Sequence, residues 1–410
     1  MKYNILFISH ERKMGGANFA LLELIKNLKN DGNNISVVVL YSGCPIDVEL
    51  KKMGITTFPC LFGWWQQPEY WSKVLKIAFQ FMHWLQWISV FRISRFVKKN
   101  RIQIIHSNSS VIDIGAQVAH KTGCKHVWHF REFGKADYRL EYMYSKERLI
   151  HYIAQHSDMV VFISKALQNS YADIAKKCRN IMIYDGIISK ESKSLPLFDD
   201  AKKKKNSKHI FEFLVTGNIT PGKNQKLVLE AIYILMNELH IREEKFCVHF
   251  AGAETSLQES KRYGALMREY INRNDISNAI FHGFVEDMSQ LREQIDAEIV
   301  PSVSEAYGRV TLEAMMDGNL VIASDSGSNL ELVGDNNNGL LFEQNDAKSL
   351  AIQMKYAMEH SCEEYRRRAY QYVHEFHTQE ESCQRIKNVY DEIMSGDKKS
   401  EESITDFDNI

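Results

Sequence analysis

Two glutamates, Glu305 and Glu313, stand eight positions apart in a stretch that could bind a polar ligand. Glu305 lies in a polar loop at the carboxyl end of a predicted strand, the edge at which open α/β sheets bind ligands. Glu313 lies inside the helix predicted to follow. Gly308, at the start of that helix, would leave unpaired N–H groups and the positive end of the helix dipole facing an anion. These residues therefore predict an anion-binding site bracketed by two carboxylates.

The residues around this pair predict the elements that would position it. Residues 297–300 have the pattern of a short, apolar, buried parallel strand, and residues 320–323 have the same pattern. Residues 302–308 are polar and contain glycine, which predicts a loop. The helix after the loop is stopped by Asp317 and Gly318. The order strand, loop, helix, strand is typical of an α/β domain.

The stretch from residue 305 to 315, EAYGRVTLEAM, closely resembles the Glu-x7-Glu signature of the retaining glycosyltransferases of family 4, also called group 1. The Tyr-Gly between the glutamates and the Ala-Met after them make this block far more specific than two glutamates alone. The resemblance implies the GT-B fold, an α/β protein with two Rossmann-like, doubly wound domains facing a central cleft. It implies that Glu305 is catalytic and meets the donor sugar, while Glu313 grips the nucleotide ribose. The residues between them would bind the donor's sugar hydroxyls and phosphate: Tyr307, Gly308, Arg309, Val310 and Thr311.

A second loop, residues 217–224 (GNITPGKN), resembles the family's phosphate-binding loop. Lys223 matches the lysine that clasps the nucleotide diphosphate, although a solvated lysine on a helix's first turn is the alternative. Asn218 stands where arginine is common and carries no charge, which leaves one phosphate contact open. Arg309 is our hypothesis for the source of that charge.

Two further loops match donor-binding parts of the family. Gly15 and Gly16 connect a predicted strand to a helix, and glycine lets a backbone approach a ligand closely. They match the Gly-Gly loop that lies under donor and acceptor in the family. Gly283, Phe284 and Val285 follow another predicted strand and resemble the corner at which backbone meets the nucleobase.

A histidine, His129, ends the strand predicted over residues 125–130, in the run WHFREF. The run is similar to one in a subgroup of the same family, which implies that His129 is catalytic and approaches the reacting centre. His106 also ends a predicted strand but has the weaker claim to a site role. Arg131 and Glu132 could pair with each other or with acceptor groups, and the sequence leaves both open.

Residues 64–100 form an unusually aromatic segment that holds five of the six tryptophans. Its uncharged run, residues 77–91, is shorter than the roughly 20 residues of a membrane span and is interrupted by polar residues, so we predict no span. Aromatic residues with basic flanks are typical of a helix lying on an anionic membrane. A helical pair packed against the first sheet needs the same apolar residues, and both interpretations stay open. The basic flanking residues are Lys73, Lys76, Arg92, Arg95, Lys98 and Lys99.

Bulk properties are those of an ordinary globular protein: 410 residues, 44% hydrophobic, 25% charged and a net charge of −1. The length favours two domains, and the charge argues against a nucleic-acid partner. Seven scattered cysteines favour a reducing compartment over zinc or disulfides. The start, MKYNILFIS, lacks a signal-peptide pattern, so we expect a cytoplasmic protein, on the inner face of the cell membrane if the aromatic segment binds lipid.

Alternating strands and helices predict two parallel, doubly wound sheets. We place an acceptor domain at residues 1–188, a linker at 189–208 and a donor domain at 209–375. A helix over 376–396 would return to the first domain, and 397–410 would be a polar tail. The helical pattern over residues 362–394 predicts one long or kinked helix.

The resemblance implies a retaining transfer of a sugar from a UDP- or GDP-linked donor to a saccharide or lipid-linked saccharide. A role in bacterial cell-surface polysaccharide or lipopolysaccharide synthesis fits the family. No cofactor is expected. The resemblance implies metal independence, with Lys223 in place of a divalent ion, and no Asp-x-Asp motif ends a predicted strand. A non-catalytic GT-B-like partner subunit and a sugar-nucleotide epimerase of GT-B-like fold are the alternatives.

Overall fold

The structure is a computed structural model that describes residues 1–189, 210–334 and 337–396. The predicted linker, from residue 190 onward, and the predicted tail lie outside the described residues. The strands before the gap are β1 (Asn4–Ile8), β2 (Asn34–Val39), β3 (Thr56–Pro59), β4 (Gln66–Pro68), β5 (Ile104–Ser107), β6 (Lys125–Phe130), β7 (Leu140–Tyr142), β8 (Met159–Phe162) and β9 (Asn180–Met182). The helices there are α1 (Gly16–Asn30), α2 (Pro45–Lys52), α3 (Lys73–Trp84), α4 (Trp87–Lys99), α5 (Ile114–Thr122), α6 (Lys135–Tyr138), α7 (Lys146–His156), α8 (Lys165–Ser170) and α9 (Ala172–Ala175).

The second set of elements follows the same alternation. Its strands are β10 (Phe211–Thr216), β11 (Phe246–Ala251), β12 (Ala279–Gly283), β13 (Ala297–Val300), β14 (Leu320–Ser324) and β15 (Leu340–Phe342). Its helices are α10 (Gln225–Asn237), α11 (Gln258–Arg273), α12 (Met288–Arg292), α13 (Arg309–Met316), α14 (Ala347–Glu359), α15 (Glu363–Phe376) and α16 (Gln379–Ser395). Short 3-10 turns cover Pro221–Lys223 and Glu243–Lys245, and a π-helical turn covers Leu330–Gly334.

Two parallel sheets organise the molecule. The first has the order β3-β2-β1-β5-β6-β8-β9 and the second β12-β11-β10-β13-β14-β15. In each sheet the strand order reverses beside the first strand, between β1 and β5 and between β10 and β13. Such reversals are the points at which doubly wound sheets bind ligands. The predicted class, α/β with two doubly wound Rossmann-like sheets, is confirmed.

Apolar side chains cover both faces of each sheet, as parallel sheets require. One face of the first sheet packs against α1 and α16, through Leu21, Ile25, Ile386 and Tyr390 among others. The other face packs against α4 and α5. Helix α16 therefore belongs to the core of the first sheet although it follows the second sheet in the chain.

The helical pattern over residues 362–394 is interrupted, so the chain has two helices there and not one. Thr378 begins the second helix, and its side chain accepts a hydrogen bond from the Glu381 N–H. The break coincides with backbone pairing to the end of the first domain, since the Gln379 N–H donates to the Ile188 carbonyl at 2.8 Å. A Cβ on Gly186 would lie 2.2 Å from the Gln379 Cα. Glycine is thus required at residue 186 by this close approach.

The aromatic segment contains one strand and two helices. Strand β4 pairs with β7 in a small antiparallel sheet, which the sequence did not indicate. Helices α3 and α4 follow, and the inner face of α4 packs on the first sheet through Val90, Ile93 and Val97. Among the described residues, no helix combines the length and the apolar content that crossing a membrane requires.

Candidate active site

The two sheets face each other across a cleft with a cavity of about 1340 Å³. Its walls come from the loops at both strand-order reversals. Gly15 and Gly16 follow β1 on one side, and Lys223 and Glu305 follow β10 and β13 on the other. A cavity of this size exceeds the usual range for one small ligand, so it has room for two substrates.

Lys223 and Glu305 form an ion pair at the floor of this cleft. The Lys223 Nζ contacts Glu305 Oε1 and lies 3.5 Å from the Ser302 Oγ. The lysine side chain is 32% exposed and the glutamate side chain 11%, so both remain open to the cavity. The 3-10 turn of residues 221–223 holds the lysine beside Gly217. The two residues that the sequence put in separate motifs thus lie in direct contact.

The backbone of Glu305 is held by the loop after β14. The Ser328 N–H donates to the Glu305 carbonyl at 2.8 Å. Gly327 has a φ of +54°, and a Cβ there would lie 2.3 Å from the same carbonyl oxygen. Glycine is required for this close approach, which fixes the position of Glu305.

Glu313 lies between two arginines. Its Oε1 accepts from the Arg309 Nε at 2.8 Å, and its Oε2 lies 3.3 Å from the Arg292 Nη2. Arg292 also donates to Glu298 at 2.8 Å. Burial alone would lower the pKa of Arg292, but the carboxylates of Glu298, Glu313 and Asp317 outweigh it and raise that pKa. The guanidinium is therefore a permanent cation behind Glu313.

Neither Arg292 nor Glu298 was singled out from the sequence. The stretch AEIV was described as an apolar strand, yet its glutamate is completely buried. A charge inside an otherwise apolar strand signals a buried partner, because an unpaired buried carboxylate is costly. That signal could have indicated an arginine nearby.

The other residues of the Glu-x7-Glu block have different surroundings. Gly308 adopts a left-handed conformation and begins α13, and Gly308, Tyr307 and Arg309 line the cavity. The Tyr307 hydroxyl donates to the Asp185 carbonyl of the first domain. Val310 packs in the core between the domains. Thr311 is fully buried, and its hydroxyl donates to the Asn329 side chain at 2.8 Å.

The loop after β1 that contains Gly15 and Gly16 also contains Glu11, whose place in the site was not predicted from the sequence. The Glu11 carboxylate lies against Gly15 and accepts from the Asn18 N–H at the start of α1. Burial, reinforced by the nearby Glu132, raises the pKa of Glu11 to about 7. A carboxyl group therefore lies where the helix start could meet an anion.

Four predicted donor-binding residues lie at the same sheet edge but outside the residues that line the cavity. Asn218 follows β10, Gly283 ends β12, and Phe284 and Val285 follow it. Asn218 is exposed, and Phe284 is 78% exposed. Val285 packs against the core of the second sheet. Gly283 has a φ of +68°, and its carbonyl accepts from the Gly252 N–H at 2.7 Å.

His129 is buried behind the cleft and does not line the cavity. Its Nδ1 lies 3.2 Å from the His106 Nε2, and the His106 Nδ1 lies 2.7 Å from the Tyr390 hydroxyl. Burial and the Arg131 charge lower the pKa of both histidines well below the usual value. The two rings are therefore neutral and link the first sheet to α16.

Arg131 and Glu132 line the cavity but do not pair with each other. The Arg131 guanidinium contacts the Asp185 carboxylate and donates to Asn108 at 2.8 Å. Glu132 accepts from the Ser109 hydroxyl at 2.7 Å. Both side chains thus have partners within the first domain.

In the described part of the chain, the side chains close enough to share a metal ion are Glu212, Cys247 and His249. His249 bonds Glu212 and His282, both at 2.8 Å. Glu212 precedes Gly217 by five residues, about 16 Å along an extended strand. This group therefore lies well away from the cleft.

Family comparisons cover both halves of the chain. The family described as "Glycosyltransferase Family 4" matches residues 14–188, and that described as "Glycosyl transferases group 1" matches residues 198–376. An uncharacterised glycosyltransferase of Methanocaldococcus jannaschii is 24% identical over 64% of this chain and 68% of its own length. D-inositol 3-phosphate glycosyltransferase of Geodermatophilus obscurus is 27% identical over 35% of this chain and 32% of its own length.

Solved structures match the whole fold. A glycosyltransferase from Rickettsia africae has a TM-score of 0.74 at 18% identity and covers 97% of this chain and 100% of its own. Anabaena HepE, solved with UDP and glucose, has a TM-score of 0.71 at 19% identity, covering 95% and 99%. At these identities the likeness concerns the fold alone, and it confirms the GT-B arrangement of two domains around a cleft.

Proposed function

The chain belongs to the family 4 (group 1) glycosyltransferases, and from this premise we propose that it transfers a sugar from a nucleotide diphosphate to a hydroxyl acceptor, with retention at the anomeric carbon. The observation that carries the proposal is the Lys223–Glu305 pair, which opens into a cleft shared by both domains. The Lys223 ammonium group can bind a diphosphate and the Glu305 carboxylate can bind a sugar, and the two groups contact each other.

The difficult step is cleavage of the bond between the donor sugar and the diphosphate. Negative charge grows on the leaving phosphate while positive charge grows on the sugar ring. The Lys223 Nζ and the N–H groups at the start of α13 stabilise the phosphate, because fixed charges and dipoles act strongly in a cleft that excludes water. Glu305, in contact with Lys223, binds the donor sugar and stabilises the cationic ring.

Glu313 has a binding role in this scheme. Its two oxygens accept from the ribose hydroxyls, while Arg292 and Arg309 hold the carboxylate in place. Arg309 also lines the cavity, which keeps it available as a second phosphate contact in place of the uncharged Asn218.

We propose that the reaction needs no divalent metal, because Lys223 supplies the positive charge that a metal would otherwise supply. Excess EDTA should leave the rate of transfer unchanged within about twofold, and added Mg²⁺ or Mn²⁺ should not raise it. Loss of turnover in EDTA, restored by one of these ions, would contradict the metal-independent scheme.

The donor is a UDP- or GDP-linked sugar, with UDP as the first candidate because HepE was solved with UDP-glucose. The acceptor is a saccharide or a lipid-linked saccharide, in the synthesis of a bacterial cell-surface polysaccharide or lipopolysaccharide. One structural neighbour, a lipopolysaccharide outer core galactosyltransferase, acts in such a process. The site of action would be the cytoplasm at the inner face of the membrane.

The test is an incubation of the pure protein with labelled UDP- and GDP-sugars, with and without a lipid-linked acceptor. Label transferred to the acceptor, with the anomeric configuration of the donor by NMR, is the expected result. An altered sugar without acceptor would indicate an epimerase. Failure to bind any donor would indicate a non-catalytic partner subunit.

A further inference from the structure

Helix α3 is a twelve-residue helix that has no buried residue. Its exposed apolar residues Val74, Ile77, Phe81 and Trp84 have the 3,4 spacing of one helix face, and the exposed Ile88 follows in the first turn of α4. Such a continuous apolar patch on a soluble surface marks an interaction site, since isolated exposed residues would not line up in this way. The stripe is Val74 (75% exposed), Ile77 (66%), Phe81 (60%), Trp84 (64%) and Ile88 (50%).

The charged residues of these two helices all have the same sign. The sequence has no Asp or Glu between Glu69 and Asp113, while the two helices carry six lysines and arginines. The basic residues of α4 are exposed, and the Arg95 guanidinium lies 4.8 Å from the centre of the Phe91 ring. Lys76 of α3 pairs with Glu141 at 2.6 Å. The apolar stripe beside the four basic residues of α4 is complementary to an anionic lipid surface.

The inner side of the same helices forms a wall of the cleft. Phe79, Met82 and Leu85 line the cavity together with Trp71, whereas Lys223 and Glu305 line it from the second domain. The cavity thus has an apolar wall next to the exposed stripe and a charged wall at the proposed reaction site. This polarity matches an acceptor with a lipid portion and a polar, sugar-bearing head.

We propose that α3 and the first turns of α4 insert into the headgroup layer of an anionic bilayer, and that a lipid-linked acceptor enters the cleft along Trp71, Phe79 and Met82. The inference rests on the proposed function for the identity of the head group. It makes the aromatic segment both the membrane contact and the acceptor entrance.

A second copy of the chain is the competing occupant of this face. A two-fold dimer brings the same patch of both copies together. The basic residues of α4 would then approach their own counterparts, and the segment offers no acidic residue to pair with them. The charge therefore favours lipid over self-association.

The test uses the full chain and sucrose-loaded vesicles of phosphatidylcholine, with or without a third of phosphatidylglycerol. The protein should sediment with the anionic vesicles. The double variant Ile77→Glu/Phe81→Glu should lose at least about tenfold in partitioning, since two apolar contacts are replaced by charges. A matched control, Leu266→Glu/Ile352→Glu, changes two exposed apolar residues of α11 and α14 and should bind vesicles as the unaltered protein does.

The basic residues are tested separately. Lys98→Gln/Lys99→Gln should weaken binding to anionic vesicles by about fivefold per lysine and leave binding to neutral vesicles unchanged. Equal binding of the unaltered protein to neutral and anionic vesicles would contradict the claim that the basic residues of α4 contribute to membrane binding.

Failure of this inference is distinguishable from failure of the proposed function. Donor hydrolysis and transfer to a water-soluble saccharide should survive in Ile77→Glu/Phe81→Glu, while transfer to a vesicle-borne acceptor should fall. If the unaltered protein transfers sugar to a water-soluble saccharide but does not sediment with anionic vesicles, the membrane surface is overturned while the proposed function stands. A dimer in light scattering that Ile77→Glu/Phe81→Glu dissociates would also overturn it, because a second copy would then cover the stripe.

Discussion

Glu305 and Glu313 look equivalent in the sequence, but their side chains have different partners. Glu305 faces the cavity and contacts a single lysine, whereas Glu313 is held by two arginines. A carboxylate beside a reacting centre affects the transition state, while one that holds the ribose binds ground and transition states equally. The two residues should therefore give different kinetic signatures when changed.

Glu305→Gln should lower kcat by about 100-fold or more, since it removes charge stabilisation made in the transition state. Glu313→Gln should raise KM for the donor by about tenfold and leave kcat within a few fold, because it removes uniform binding. Steady-state kinetics with varied donor concentration separates these outcomes. Glu359→Gln, at an exposed glutamate of α14, is the control and should change neither constant. A fall in kcat of the same size for both site variants would contradict the division of roles.

Glu11 makes folding stability depend on pH. Burial raises its pKa from 4.5 to about 7, so the folded protein binds the proton more tightly than the unfolded chain. The stabilisation is present below pH 4.5 and is lost as pH rises to about 7. Glu11→Gln has no titrating group at this position and should not show this loss. The unfolding free energy of the unaltered protein, relative to that of Glu11→Gln, should therefore fall by roughly 3 kcal/mol between pH 4.5 and 7.

Denaturant unfolding of both proteins at several values between pH 4.5 and 8 measures this difference. Subtracting the two curves removes the contribution of every other titrating group. Parallel curves over the whole range would mean that the Glu11 carboxyl is not buried as the structure describes.

Site residues that belong to a local motif could be identified from the sequence, whereas those that depend on long-range contacts could not. Lys223 and Glu305 could be identified separately, but their contact joins two loops that are 82 residues apart. Arg292 supports Glu313 from a different element, and no local pattern links them. The catalytic assignment of His129 stays a prediction. Its ring is buried and does not line the cavity.

At the scale of elements, the strands predicted at residues 297–300 and 320–323 agree with β13 and β14 to within one residue, because each is a short, mostly apolar run between turn residues. The break between α15 and α16 was expected only as a kink somewhere in residues 362–394, and its cause was not predictable. It arises where residues 187–188 pair with residues 377–379, and both flanking stretches are good helix formers. The docking of α16 onto the first sheet then depends on side chains far apart in the chain.

Tyr390→Phe should weaken that docking. The change removes the hydroxyl that lies 2.7 Å from the His106 Nδ1 and leaves a buried ring nitrogen without this partner, which costs about 1–3 kcal/mol. Chemical denaturation measures the loss. Tyr356→Phe, at a partly exposed tyrosine of α14, is the matched control and should change stability little. Equal stability of the two variants would argue against the His106–Tyr390 contact.

At the scale of the whole molecule, alternating strands and helices were enough to predict two doubly wound sheets. That the two sheets face a central cleft was expected from the family resemblance, and not from this alternation, because their placement depends on contacts between residues more than a hundred positions apart. The Tyr184 hydroxyl donates to Glu331 at 2.8 Å, and the Lys165 N–H donates to the same carboxylate at 3.0 Å. These contacts join the chain after β8 and β9 of the first sheet to the turn after β14 of the second.

The central claim is that this cleft binds a nucleoside diphosphate through Lys223. Calorimetric titration of the unaltered protein, Lys223→Ala and the surface control Lys348→Ala with UDP and GDP tests it most directly. We expect one of the two nucleotides to bind the unaltered protein and the control equally. Lys223→Ala should bind it at least about tenfold more weakly, as the loss of a charge-assisted contact requires. Equal affinity in Lys223→Ala, or no binding of either nucleotide to the unaltered protein, would contradict the account.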